Sequence, residues 1–176
     1  MLPLTIESAH ELYRQMEWAD ARTWGAVDDA PAEHEAELID RLYHIHFTQR
    51  AFLQLWISGP REKYDPARFA NRGELRAWAM TYYPDVSAFL GTVDVERFPE
   101  PLLVPWAKLY ERQLGRTPAM TTFGETIFQV WSHTTSHRAQ IGTRLRHFGV
   151  EPPLVDFIAW IWAGRPQPSW AATSQR

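Results

Sequence analysis

Apolar residues recur every three or four positions along four long stretches of the chain, which is the spacing of amphipathic helices. These stretches are residues 8–27, 32–58, 73–90 and 121–147. Pro84 lies inside the third stretch, so we expect that helix to kink or break near Tyr83. Thr122 and Glu125 have the spacing of a capping box at the start of the fourth helix, and Gly149 ends it. Four such helices in one small chain predict an all-α fold, an antiparallel helical bundle.

The stretch from residue 92 to residue 118 interrupts the helical pattern. It contains three prolines within seven residues, together with a first apolar run at 102–104 and a second short run at 108–110 that could each form a strand. The sequence leaves two alternatives open here, a short hairpin or an irregular excursion.

The segment after the fourth helix predicts a short fifth helix. Two consecutive prolines at 152–153 favour an extended linker, and residues 154–162 are apolar almost all round, which is typical of a helix that is buried or packed on a partner. We therefore expect one domain over residues 1–164 and a loosely ordered tail over 165–176.

The composition narrows the classes of function. Hydrophobic residues make up 45% and charged residues 22% of the 176 residues, which indicates an ordinary globular chain. A net charge of −3 gives no reason to expect a nucleic-acid partner. The absence of cysteine excludes disulfides, thiolate ligands and a cysteine nucleophile, and it fits a reducing cytoplasm. The sequence shows neither a signal peptide nor a membrane span, so we expect a cytoplasmic protein.

Two histidines on the fourth helix are the first candidates for chemistry. His133 and His137 are four residues apart, so they lie on one face of the helix with Cβ atoms about 5–6 Å apart. Such a pair can hold one metal ion, and a third protein ligand would complete a site with an open position. The alternative is a pair of partly buried histidines that hydrogen-bond to neighbouring polar groups.

The second helix offers two further histidines. His44 and His46 are two residues apart, which places them about 200° apart around a helix, so only one of them can face the fourth helix. Both lie in mixed polar and apolar rows, and the helical face alone does not choose between them. His10, His34 and His147 lie among charged residues and are most simply solvated.

Several segments carry a resemblance to a known family. Residues 42–53 (LYHIHFTQRAFL) and 133–141 (HTTSHRAQI) are similar to the second-helix motif and the H-x-x-x-H-R-G-Q motif of the DinB-like (damage-inducible) proteins. Residues 149–153 (GVEPP) resemble the Gly-x-x-Pro-Pro linker of that family, and 156–158 (DFI) resemble the start of its last helix. Residues 18–20 (WAD) resemble its first-helix signature, which is usually Trp/Tyr-Ala-Asn.

The resemblance implies a four-helix bundle of up-down-down-up topology with an added last helix. It also implies a divalent metal ion, often nickel or zinc, held by His44, His133 and His137, with His46 as a near neighbour rather than a ligand. Family members are often homodimers, and they include thiol S-transferases that act with bacillithiol and isomerases that act with mycothiol. The chain departs from the family pattern at Asp20, at Gln49, where an acidic residue is common, and at Ala139, which replaces a glycine.

Three neutral imidazoles and an open position suit zinc, nickel, cobalt, manganese or iron, whereas calcium requires oxygen ligands. A cation there can lower the pKa of a bound water or hold a thiol as its nucleophilic thiolate. Because the chain has no cysteine, the thiol would come from a small molecule, and we expect a metal-dependent transferase that activates a low-molecular-weight thiol for attack on an electrophile. Asp20 is the candidate base, because the resemblance places this position near the pocket.

Other interpretations of the same residues remain. Arg138 could orient His137 or bind an anion, although a salt bridge to Asp156 or to a surface carboxylate is the simpler expectation. The protein could also be a metal-binding stress or regulatory bundle without turnover, or a helical domain whose histidines bind no metal.

Overall fold

Helices make up most of the computed structural model, which describes residues 5–31 and 35–170. The helices are α1 (Ile6–Asp28), α2 (Glu35–Trp56), α3 (Arg72–Met80), α4 (Tyr82–Leu90), α5 (Glu111–Leu114), α6 (Phe123–His147) and α7 (Phe157–Trp162). Two short strands, β1 (Pro101–Leu102) and β2 (Thr121–Thr122), pair in antiparallel fashion. The mostly helical fold agrees with the all-α class predicted from the sequence. None of the helices in the described residues is long and apolar enough to cross a membrane.

The third predicted helix is broken, as expected, but two residues before the expected point. Helix α3 ends at Met80 and α4 begins at Tyr82, so the break lies at Thr81. Pro84 is then in the first turn of α4, where a backbone N–H needs no helical partner and proline is tolerated. Arg50 of α2 bridges the break, because its guanidinium donates to the carbonyl of Trp78 and to the Thr81 hydroxyl.

Helices α1 and α6 run parallel, as two contacts at different heights along them show. The Tyr13 hydroxyl near the start of α1 donates to the carbonyl of Ile127 near the start of α6, at 3.0 Å. Further along both helices, Arg138 of α6 forms a salt bridge with Asp20 of α1, at 2.7 Å.

Helix α2 runs antiparallel to α6. Gln49, in the middle of α2, donates to Thr134 at 3.3 Å, and the indole of Trp56, at the end of α2, donates to Thr126 near the start of α6 at 2.9 Å. The two helices therefore present facing residues to each other over several turns.

Helices α3 and α4 together run antiparallel to α1. Arg76 of α3 pairs with Asp28 at the end of α1, at 2.6 Å, and Tyr83 of α4 donates to Asp20, about two turns earlier in α1. The apolar core lies between these helices. Its largest fully buried side chains are Trp24, Trp56, Trp160, Tyr43, Tyr82 and Phe123.

The chain between α4 and α6 forms the excursion that the sequence predicted, and it contains little regular structure. β1 overlaps the first apolar run only at Leu102, and its partner is β2, directly before α6. Residues 108–110 belong to a 3₁₀ turn instead of a second strand. The backbone N–H groups of Phe123 and Gly124 donate to the carbonyls of Glu100 and Phe98, each at 2.9 Å, and these bonds align β1 with β2. Gly124 allows this approach, because a Cβ there would lie 3.1 Å from the Phe98 ring.

The capping box predicted for the fourth helix is confirmed. The N–H of Glu125 donates to the Thr122 hydroxyl at 3.3 Å, and the N–H of Thr122 donates to the Glu125 carboxylate at 2.7 Å. Two of the N–H groups at the start of α6 are thus satisfied by side chains rather than by water. This fixes the residue at which the helix carrying His133 begins.

The last helix is shorter than predicted: α7 begins at Phe157, and Asp156 directly before it has extended backbone. Trp160 is buried, whereas Ile158 and Trp162 are exposed. The described part of the predicted tail contacts the helices: the Trp170 indole donates to Glu17 of α1 at 3.2 Å. Residues 171–176 of that tail lie outside the described residues.

Candidate metal centre

Three histidines from two helices meet in the seam between α2 and α6. One ring nitrogen from each of His44, His133 and His137 lies within 4.8 Å of a ring nitrogen from each of the other two. The ring centroids are 5.2 Å apart for His44 and His133, 4.6 Å for His44 and His137, and 4.3 Å for His133 and His137. These three residues, here called the histidine cluster, are close enough to bind one metal ion.

The two histidines on α6 present ring nitrogens that are free for a ligand. The Nδ1 of His137 lies 3.1 Å from the Gln140 side-chain oxygen. Because that oxygen can only accept, Nδ1 carries the proton and Nε2 keeps its lone pair for a metal ion. The Nε2 of His133 is buried and has no hydrogen-bond partner among the described residues. A buried nitrogen in that state is costly unless a ligand satisfies it.

Burial also favours the neutral rings that metal ligation requires. Desolvation, and to a smaller extent the neighbouring rings of His137 and His44, together lower the pKa of His133 to about 4. Desolvation is likewise the main cause of the lowered pKa values of His44 and His137. All three imidazoles are therefore uncharged near neutral pH, which is the form that binds a metal ion.

The donor set restricts the metal ion that would fit. Three imidazole nitrogens with no carboxylate among the three suit borderline divalent ions such as zinc, nickel or cobalt, and they do not suit calcium or magnesium. Three protein ligands also leave at least one position for water or a substrate. The residues present thus fit a transition metal ion with an open coordination position.

His46 is excluded from the cluster by its own hydrogen bonds. The Trp24 indole donates to His46 Nε2 at 3.0 Å, so the proton of this ring lies on Nδ1, which donates to the Gln49 side-chain oxygen at 2.8 Å. Both ring nitrogens are used and the ring is buried. The choice between His44 and His46 that helix geometry left open is thereby made in favour of His44.

The chain of hydrogen bonds continues from Gln49 to a buried carboxylate. The Gln49 amide donates to Asp20 Oδ2 at 2.9 Å, the Tyr83 hydroxyl donates to the same oxygen, and Arg138 pairs with Oδ1 at 2.7 Å. Asp20 and Arg138 are both buried. We call this set, from Trp24 through His46, Gln49 and Asp20 to Tyr83 and Arg138, the Asp20 network.

The Asp20 network corrects one expectation for Arg138. The arginine forms a salt bridge, as the simpler interpretation held, but its partner is the buried Asp20 and not Asp156 or a surface carboxylate. Asp156 instead lies exposed before α7, with extended backbone. The role of Asp20 as a base stays a prediction, and its contacts in the structure are those of a structural ion pair.

The outer end of the same seam is charged. Arg144, two turns beyond His137 on α6, binds both carboxylate oxygens of Glu37 on α2 at 2.6 and 2.7 Å. Arg41 adds a third contact to that carboxylate at 3.1 Å. The histidine cluster therefore lies between an ion-paired end of the seam and the end near the excursion.

Sequence reasoning missed the partners of the histidines rather than the histidines themselves. Gln140 and Gln49 each follow a histidine by three residues on a helix, a spacing that brings side chains together. This spacing of three residues in the sequence could have predicted both contacts. Of the other histidines, His147 is exposed and His10 is partly buried, whereas His34 lies outside the described residues.

No protein-family model matches the chain, and no characterised protein matches its sequence with significant similarity. The functional proposal therefore rests on the geometry of the histidine cluster.

Proposed function

We propose that the protein binds one divalent transition metal ion through His44, His133 and His137, and that it uses this site as a metal-dependent transferase for a low-molecular-weight thiol. Two observations carry the metal site: one ring nitrogen from each of the three histidines converges within 4.8 Å, and the buried Nε2 of His133 has no hydrogen-bond partner among the described residues. Zinc and nickel are the ions that the donor set and the family resemblance both favour.

We also propose that the fold is a DinB-like four-helix bundle of up-down-down-up topology. The parallel pair α1 and α6, the antiparallel α2, and the broken helix α3–α4 antiparallel to α1 have the directions that this topology requires. The homodimer implied by the resemblance stays a prediction, and light scattering of the purified protein checks it.

The proposed reaction is the transfer of a thiol sulfur to a carbon electrophile. The sulfur forms a new S–C bond, the leaving group departs with the electron pair of its bond to carbon, and the thiol proton passes to solvent. A bound divalent cation would supply Lewis acidity that lowers the pKa of the thiol. The cosubstrate must provide the thiol, because the chain has no cysteine.

The residues of the chain contribute orientation and exclusion of water. Gln140 holds the His137 ring by its Nδ1 proton and so leaves Nε2 as the nitrogen available to a metal ion. Partial burial of the three rings keeps them neutral, and the buried His46 fixes the face that α2 turns towards α6.

Metal binding is tested first. Protein dialysed against zinc or nickel should contain about one ion per chain by elemental analysis, and a chelator should lower its melting temperature. His133→Ala should abolish both effects, while His147→Ala, an exposed histidine on the same helix, should leave them intact. Equal metal content in both variants would refute the site.

A metal-binding protein without turnover is the second candidate, because both oxygens of Asp20, the one expected base, are engaged in the Asp20 network. The zinc- and nickel-loaded protein should be mixed with a chlorodinitrobenzene or an epoxide and a panel of low-molecular-weight thiols. Thioether formation that disappears in His133→Ala supports the transferase. Metal binding without any thioether supports the second candidate.

A further inference from the structure

We propose that the groove beneath the excursion is the binding site for the electrophile, and that this substrate has an uncharged, largely aromatic or aliphatic body. The inference rests on the proposed function, because it names the substrate class of the same site. The groove has a volume of about 450 Å³ and lies between α2, the start of α6 and the excursion.

The lining of the groove defines the chemistry of its occupant. Phe52 of α2 and Trp106 of the excursion form one wall, with their rings 5.0 Å apart and edge to face. Val104 and Met120 add apolar surface, and Met120 is 63% exposed. A side chain that flexible and that accessible can close over an apolar guest.

The lining offers little to a charged group. Of the described residues that line the groove, Glu125 alone is charged, and its carboxylate already accepts the Thr122 N–H of the capping box. Among the described residues, no lysine or arginine lines the groove to pair with an anion, and the one carboxylate that could attract a cation is engaged in the capping box, so the lining favours an uncharged occupant. A few polar groups, such as the Gln129 amide at its edge, can orient such a molecule.

The groove lies on the same face of α6 as the histidine cluster. Gln129 and Thr126 are one and two turns before His133, which places them within about 40° of it around the helix and about 6 and 10 Å along the axis. Helical side chains lean towards the N-terminus of their helix, so His133 leans towards the groove. A molecule seated there has its near end beside the cluster.

The position of the groove also separates the two substrates. The other end of the α2–α6 seam is occupied by the Glu37–Arg144 ion pair, whereas the end towards the excursion carries the apolar groove. The electrophile and the polar part of a thiol cosubstrate would then approach the cluster from opposite ends of one seam.

The first test measures the groove without metal. Metal-free protein is titrated with N-phenyl-1-naphthylamine, an uncharged aromatic dye whose fluorescence rises on burial, and we expect one site per chain. Ala107→Trp and Ala119→Trp, which fill the groove, should each weaken binding at least about tenfold. Ala77→Trp, an exposed position on α3, is the matched control and should change binding by less than about twofold. Circular dichroism confirms the fold of each variant.

The second test asks whether the groove adjoins the cluster. The ¹⁹F resonance of 4-(trifluoromethyl)benzyl alcohol is recorded with cobalt-loaded and with zinc-loaded protein. Cobalt should broaden the resonance, and Ala119→Trp should remove the broadening while cobalt content is unchanged. Equal dye binding by all variants, or no cobalt broadening in loaded protein, overturns the proposal. Failure to load any metal refutes the proposed function instead, and the dye titration still decides whether the groove binds.

Discussion

Alanine substitutions at His44 and His46 should separate metal binding from folding. These residues are two positions apart on α2, yet His44 faces the other two histidines of the cluster and His46 lies inside the Asp20 network. His44→Ala removes one of three ligands and should abolish binding of a zinc ion, while the metal-free protein keeps its stability. His46→Ala should keep the metal and lose stability.

The stability loss for His46→Ala follows from its contacts. The substitution leaves the buried Trp24 N–H without an acceptor, at about 1–3 kcal/mol, and the cavity left by the ring adds about 1–2 kcal/mol. A total near 3 kcal/mol corresponds to a melting temperature about 6–12 °C lower in a chain of this size. For His44, a partly exposed ring, we expect a change below about 0.5 kcal/mol.

The assay pairs zinc content after dialysis with calorimetric melting in excess chelator. His46→Gln is the control, because its amide can offer both an acceptor and a donor, and it should recover part of the lost stability. The reasoning is refuted if His44→Ala keeps one zinc per chain while His46→Ala loses it, since α2 would then present the other histidine to α6.

Four further predictions follow from individual contacts. Gln140→Leu should weaken nickel affinity by about tenfold or more in a competition assay with a chromophoric chelator, whereas Gln140→Glu should retain it. Arg138→Met should lower the free energy of unfolding of the metal-free protein by about 3–5 kcal/mol in urea. Adding Asp20→Asn to that variant should recover part of the lost stability, and additive losses from the two substitutions would contradict the buried ion pair. Gly124→Ala should destabilise the protein by about 1–3 kcal/mol in the same assay, while Gly142→Ala, where a Cβ makes ordinary contacts, should be neutral or stabilising. The pKa values of the three cluster histidines are below 6.5 in the folded protein, so the cluster is neutral at pH 7. Nickel binding at pH 7 should therefore release fewer than about half a proton per ion, and nickel affinity should fall only as the pH drops through those pKa values. Calorimetry in two buffers of different ionisation enthalpy measures the proton release.

The sequence predicted the long helices because their signals are local. Apolar periodicity, the capping box at Thr122 and the helix-breaking effect of Pro84 all act within a few residues. The predicted position of the break, near Tyr83, differs from the observed one by two residues. A proline is tolerated in the first turn of a helix, so Pro84 lies inside α4, and the chain breaks at Thr81, between the end of α3 and the start of α4.

The site was predictable only in part, because its remaining features depend on contacts between distant segments. The pair His133 and His137 follows from helical spacing alone. The choice of His44 over His46 depends on the indole of Trp24, which is 22 residues away in the chain. The pairing of Arg138 with Asp20 spans 118 residues, and no spacing rule within one helix predicts it.

Asp20 contributes no ligand to the histidine cluster, yet its carboxylate receives a side chain from α2, one from α4 and one from α6. One acidic residue thereby sets how the helices on both sides of the seam are rotated about their axes. Helix α1, which carries none of the three histidines, thus acts as the reference for their alignment. We expect substitutions in α1 to change the affinity for a metal ion although no residue of α1 contacts the ion. A screen for metal-binding defects should therefore recover variants at buried positions of α1 as well as at the histidines.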